Sequence, residues 1–341
     1  MMRERDQFLD RLRTLAIVWV LMVHVLYWLN FMPHGTQAVI KSWLLLEMPL
    51  FFFITGAGVA LSKPRPWGTY VLRSARRLLI PYWCYALVCV VLTAVCSGGV
   101  DWSLLGHWIL PVDPQPVALP YLTDALWYVP VYLLCVAVIP LLRRGQNRPL
   151  PMIALLVTLL LFFERQGWSY PRNVAFYSFW IFVGLHYPQL KKRYIDRRSK
   201  GWELLLTATA CVALLLVLCR ARGISADMQQ HKFPPGGVFL LYSLAGMSLL
   251  GLAAPLLVKA MDALGRVSAL DWSMKLLSRR SLSVFLYQPF AFLLLNALRE
   301  QFLSGVRHAV QLPVCCVLIL PLAVALAVVF GPLERLGKGK A

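Results

Sequence analysis

The stretch LRTLAIVWVLMVHVLYWLNF, Leu12 to Phe31, decides the fold. Its twenty residues, nearly all apolar, are long enough as a helix to cross a hydrocarbon core about 30 Å thick. Two ionisable groups interrupt it. Arg13 and His24 are eleven positions apart, about three helical turns, so they share one face, with His24 roughly 16 Å deeper than Arg13. An ionisable group near the middle of a bilayer is costly among lipid tails, so it should face protein or a wet cavity and is a functional candidate by default.

Similar apolar segments recur at about residues 41–61, 79–97, 122–142, 149–163, 173–189, 203–219, 236–258, 281–298 and 311–331. Each is near the length a spanning helix requires, the segment 149–163 marginally so. Of the 341 residues, 59% are hydrophobic and 14% charged, against roughly a quarter charged in soluble domains. The expectation is an all-α polytopic integral membrane protein with about ten transmembrane helices, a single membrane-embedded domain over 1–341 and no soluble appendage. The first apolar segment is full length with no small-residue cleavage site after it, so it is expected to stay in the mature protein.

A net charge of +19 raises nucleic acid as a partner, but the placement of the charge excludes it. With the N-terminus inside and the sides alternating, 26 of the 34 Lys and Arg fall on the inner side and eight on the outer, whereas the acids divide eight to seven. A Lys/Arg bias without an acid bias is what orients helices in a membrane, and it puts both termini in the cytoplasm. The clusters Arg73, Arg76, Arg77 and Lys191 to Lys200 also suit anionic lipids. The eight cysteines lie within the spans or at their ends without zinc-ligand spacing, so reduced thiols and no metal are expected. The outer loop at about 98–121 carries Asp101, His107 and Asp113 and no Lys or Arg, and could form a lid or one wall of an external site. His107 and Asp113 are too far apart for the His-four-residues-Asp acyltransferase box. His186 is read as boundary packing and Asp10 as a helix cap.

Four local stretches carry chemistry. They are Phe8 to Ile17 running on to His24, Met48 to Gly56 (MPLFFFITG), Arg73 to Tyr82 (RSARRLLIPY) and Ala125 to Tyr132 (ALWYVPVY). In this order and spacing they resemble the acyltransferase-3 family of membrane-bound O-acyltransferases. The motifs are an Arg, ten residues, then a His (Arg13 to His24), a Phe-Phe pair before Thr-Gly (Phe52, Phe53, Thr55, Gly56), and an Arg, two residues, Arg (Arg73, Arg76). The segment Ser281 to Pro289 (SLSVFLYQP) is also similar, but Gln288 stands where many members have histidine.

The resemblance implies transfer of an acyl group, most often acetyl, from cytoplasmic acyl-CoA to a hydroxyl of an extracytoplasmic carbohydrate, lipid-linked sugar or related acceptor. It implies a multi-pass protein of a plasma membrane of the bacterial cytoplasmic type. Acyl transfer from a thioester needs a base for the hydroxyl proton, and a histidine suits that task; His24 is the candidate. Glu47 lies at a similar depth from the outer side and could orient the imidazole, or pair with Lys41. Arg73, Arg76 and Arg77, joined by Arg13, fit the phosphates of acetyl-CoA, or else serve as inner-side anchors. Trp127 and Tyr128 suit either acceptor stacking or an interfacial belt, and the amide of Gln288 could bind substrate. Thr55-Gly56 points to close helix packing. A proton-coupled transporter using His24 and Glu47 as a relay is the rival reading, and a non-catalytic partner in a polysaccharide-export assembly is a third.

Overall fold

In the computed structural model, which describes residues 6–99, 102, 105–109, 119–196 and 200–336, the decisive stretch belongs to helix α1 (Gln7–Trp28). Asp6 sets its start: its carboxylate accepts the Leu9 N–H at 2.9 Å, satisfying a first-turn donor that has no partner within the helix. That corrects the capping role expected of Asp10. The helix begins earlier than the apolar pattern does, so Asp10 lies inside it and pairs with Arg13 at 2.9 Å.

The chain continues through α2 (Gly35–Ser42), α3 (Glu47–Ala60), α4 (Trp67–Ser97), α5 (Leu105–Ile109), α6 (Tyr128–Arg144), α7 (Pro149–Gln166), α8 (Ser169–Leu185) and α9 (Tyr187–Leu190). It ends in α10 (Gly201–Arg222), α11 (Gly237–Leu264), α12 (Ser268–Arg279), α13 (Ser281–Phe302), α14 (His308–Val329) and α15 (Leu333–Leu336). The fold is all-α, with no strand named among the described residues. Among the described residues, eight helical segments are long and apolar enough to cross a membrane: Gly35–Ala60, which joins α2 to α3, Trp67–Cys96, Tyr128–Asn147, Pro149–Gln166, Gly201–Arg222, Gly237–Leu264, Ser281–Phe302 and His308–Val329. The protein is a multi-pass membrane protein. The other two expected spans are helical as well: α1 carries Asp10, Arg11 and Arg13 in its first half, and α8 has 17 residues.

The residues cluster in two compact units. The first comprises Met1–Ala16, Met32–Pro64 and Ala137–Asp271. Its α3 and α8 approach to backbone contact at two glycines: a Cβ on Gly56 would lie 2.0 Å from the Ile181 carbonyl oxygen, and one on Gly184 2.1 Å from that of Phe53. This is the close packing that Thr55-Gly56 announces. Beside it Phe52 stacks on Tyr177 at 4.2 Å. Glu164 accepts the Gly237 N–H at 2.9 Å, capping α11. His186 packs edge-on against Phe182 with its ring nitrogens near the carbonyls of Phe182 and Gln146. Asp6 also accepts from Tyr187 Oη at 3.0 Å and Lys191 Nζ at 2.9 Å. Burial pushes the Asp6 carboxyl up, but the Leu9 N–H, Lys191 and Tyr187 outweigh it and hold it below its ordinary value.

The second unit comprises Ile17–Phe31, Arg65–Val136 and Trp272–Ala341. Tyr287 ties α13 to α4 by donating to the Pro81 carbonyl at 2.8 Å, and it stacks on Phe330 at 3.9 Å. Tyr85 donates to the Leu122 carbonyl at 2.6 Å. The fully buried Glu334 accepts from the backbone N–H and the hydroxyl of Ser283 at 2.9 and 2.8 Å, covering the positive end of α13. Arg280, also buried, donates to the Gly331 carbonyl.

Candidate active site

His24 is half-buried on α1, with Nδ1 2.9 Å from Oε1 of Gln288 on α13. The other end of that amide fixes which atom faces the ring. Gln288 Nε2 donates to the Phe285 carbonyl at 2.9 Å, a role only the NH2 group can fill, so the oxygen faces His24. Nδ1 therefore carries the proton, and the lone pair is on Nε2. The ring plane is fixed as well: Trp28 stacks on the imidazole at 4.0 Å and 6°, and Phe292 meets it edge-on at 6.3 Å and 76°. His24 and Trp28 are four apart on α1, as are Gln288 and Phe292 on α13, so one row of neighbours on each helix meets the other. Such an imidazole can take a proton through Nε2 without first rearranging.

The stack extends beyond His24. Tyr121 lies on Trp28 at 5.5 Å, and Arg299 closes the end of α1 by donating to the Leu29 carbonyl at 2.8 Å. Neither Trp28 nor Tyr121 was expected from the sequence, because an aromatic at a span end reads as an interfacial belt residue.

Glu47, expected to orient the imidazole or to pair with Lys41, has Lys232 as its ion-pair partner. It is buried at the start of α3 and forms a 2.5 Å ion pair with Lys232, itself buried. Equal depth says nothing about facing direction, and the position at Nδ1 belongs to Gln288. Gln288 in turn differs from its expected substrate-binding role: it is fully buried, with its amide engaged by His24 and Phe285. Tyr128 is buried against Phe285 at 4.8 Å, a packing position rather than a stacking surface, while Trp127 beside it is partly exposed.

On α4, Arg73 is half-buried and Arg76 exposed, one turn apart, and among the described residues neither has an ion-pair partner. Arg77 lies 3.4 Å from the buried Glu334 and so is partly neutralised. Arg13 pairs with Asp10 and its guanidinium lies against Gly58 of α3. In the expected outer loop, Asp101 and Asp113 lie outside the described residues, as does the side chain of His107.

The family model for the acyltransferase-3 group, described as an acyltransferase domain, matches residues 6–330. No curated protein and no solved structure matches the chain. A match over nearly the whole chain, containing His24, Gln288, Arg73 and Arg76, makes this protein a membrane acyltransferase and a member of the acyltransferase-3 family.

Proposed function

We propose that the protein moves an acetyl group from cytoplasmic acetyl-CoA to a hydroxyl of an extracytoplasmic carbohydrate or lipid-linked sugar, in a bacterial cytoplasmic membrane. The observation that carries this reading is an imidazole whose Nδ1–H is held by Gln288, which puts its lone pair on Nε2. Nε2 takes the acceptor's hydroxyl proton as the oxygen attacks the thioester carbonyl. The C–S bond breaks, coenzyme A leaves as the thiol after taking up that proton, and the acetyl ester remains on the acceptor. A route through an acetyl group carried on His24 uses the same nitrogen. Arg73 and Arg76, on one face of α4 and without an ion-pair partner among the described residues, supply planar donors for the phosphates of the donor.

The test is acetyl release or transfer from radiolabelled acetyl-CoA by the purified, detergent-solubilised protein. His24→Ala lowers turnover by about 10²- to 10⁴-fold, the range for loss of a general base. Arg73→Ala/Arg76→Ala acts mainly on KM for the donor. Failure of wild type and both variants alike to bind acetyl-CoA would overturn the donor assignment and favour a transporter.

A further inference from the structure

The indole of Trp28 stacks on His24 at 4.0 Å and on Tyr121 at 5.5 Å, and Phe292 meets Trp28 and Tyr121 edge-on at 4.8 and 6.3 Å. Tyr121 ends this stack. It is half-buried, and its aromatic neighbours among the described residues are Trp28 and Phe292. Its backbone φ is +70°, a region where a bulky side chain is a strained outlier and where such outliers cluster at ligand sites. Glycine or asparagine would occupy that turn with less strain, so a ring there needs a reason beyond the turn.

The surroundings of Tyr121 supply one. Arg299, Glu300 and Asp124 are near enough to act on the charge of its hydroxyl. One turn before Glu300 on α13, Asn296 donates to it at 2.7 Å and has its side-chain oxygen buried without a hydrogen-bond partner among the described residues. An aromatic face is electron-rich and attracts the electron-poor C–H face of a pyranose, and planar polar groups around it suit the ring's hydroxyls.

Distance fixes which ring of an acceptor this is. A hydroxyl that reacts must come within about 2.6–3.2 Å of the base, whereas Tyr121 is two ring spacings, 4.0 and 5.5 Å, from the imidazole. A sugar stacked on the face of Tyr121 turned away from Trp28 is farther still, so it is a neighbour of the reacting ring. We infer that Tyr121 is a stacking platform for a second ring of the acceptor, and that the protein acetylates glycans of two or more rings in preference to single sugars. This rests on the glycan reading above.

The experiment uses the solubilised full chain, radiolabelled acetyl-CoA, and envelope glycans of the source cells, partially hydrolysed and separated into single-ring and multi-ring pools. Wild type labels the multi-ring pool at least tenfold better per acceptor end. Tyr121→Gly, which relieves the backbone as it removes the ring, brings the ratio near one, and Tyr121→Phe retains it. Tyr121→Leu repeats the test should the glycine variant fold poorly. Equal labelling of both pools by wild type, or an unchanged ratio in folded Tyr121→Gly or Tyr121→Leu, overturns the platform. No label in either pool, with donor hydrolysis present in wild type and lost in His24→Ala, overturns the glycan acceptor itself.

Discussion

Nδ1 of His24 and Oε1 of Gln288 are 2.9 Å apart, and the acceptor is a neutral amide rather than a carboxylate. It sets the tautomer without supplying negative charge to an imidazolium. In Gln288→Glu the added negative charge favours protonated His24, so the base is lost at a higher pH and the acidic limb of the pH–rate profile moves up. Gln288→Ala removes one neutral hydrogen bond, worth about 1 kcal/mol, and slows turnover by roughly tenfold. A Gln288→Glu profile superimposable on wild type would remove Gln288 from the role of positioning residue.

The buried pair of Glu47 and Lys232 predicts an asymmetry between single and double variants. Lys232→Met leaves a carboxylate uncompensated in an apolar setting and destabilises by about 3–5 kcal/mol, whereas Glu47→Leu/Lys232→Met recovers most of that loss. Thermal denaturation in detergent measures both. If Glu47 acted catalytically, the double variant would be stable and inactive.

Gly56→Ala sets a methyl 2.0 Å from the backbone oxygen of Ile181, where no side chain can move aside. Helices α3 and α8 must separate, at the upper end of the about 1–3 kcal/mol usual for overpacking or beyond it. Folded yield on size-exclusion chromatography should fall sharply. Gly68→Ala, with nothing near its Cβ, serves as the control.

Asp6 is held below its ordinary 3.8 by bonds that outweigh its burial. A depressed carboxyl contributes stability that is present above the unfolded value and lost as the pH falls through the lower, folded one. The start of α1 should therefore stay docked on Tyr187 and Lys191 through pH 5 and release only below about 3.8. Hydrogen exchange at the Leu9 amide reads this out. Asp6→Asn weakens the dock by about 0.5–2 kcal/mol, the range for a lost cap, and flattens the acid dependence.

The helices and the candidate histidine His24 were legible in the sequence because apolar run length and the cost of a charge in lipid act along one dimension. Gly56 was legible for a similar reason, since a small residue within a span has few uses other than close approach. Partners were not. Depth along the normal placed Glu47 near His24, but the choice between Lys41, Lys232 and His24 turns on rotation about a helix axis. Lys232 sits in the turn ahead of α11, where a single positive charge has no pattern around it. Gln288 drew attention as a departure from a family histidine, and a departure marks a position without giving its partner. Asp6 lay just outside the apolar pattern and so yielded its capping role to Asp10.

The two compact units are interleaved along the chain: each is made of three separate segments, and the last segment of the second begins at Trp272. During vectorial synthesis, His24 is made 264 residues ahead of Gln288. The first unit has all its segments by Asp271, but the second must wait for the final stretch. Until then the imidazole enters the lipid without its partner amide and without Phe292, so a ribosome stalled before α13 would leave a membrane-inserted chain in which the imidazole is present and its tautomer is not set.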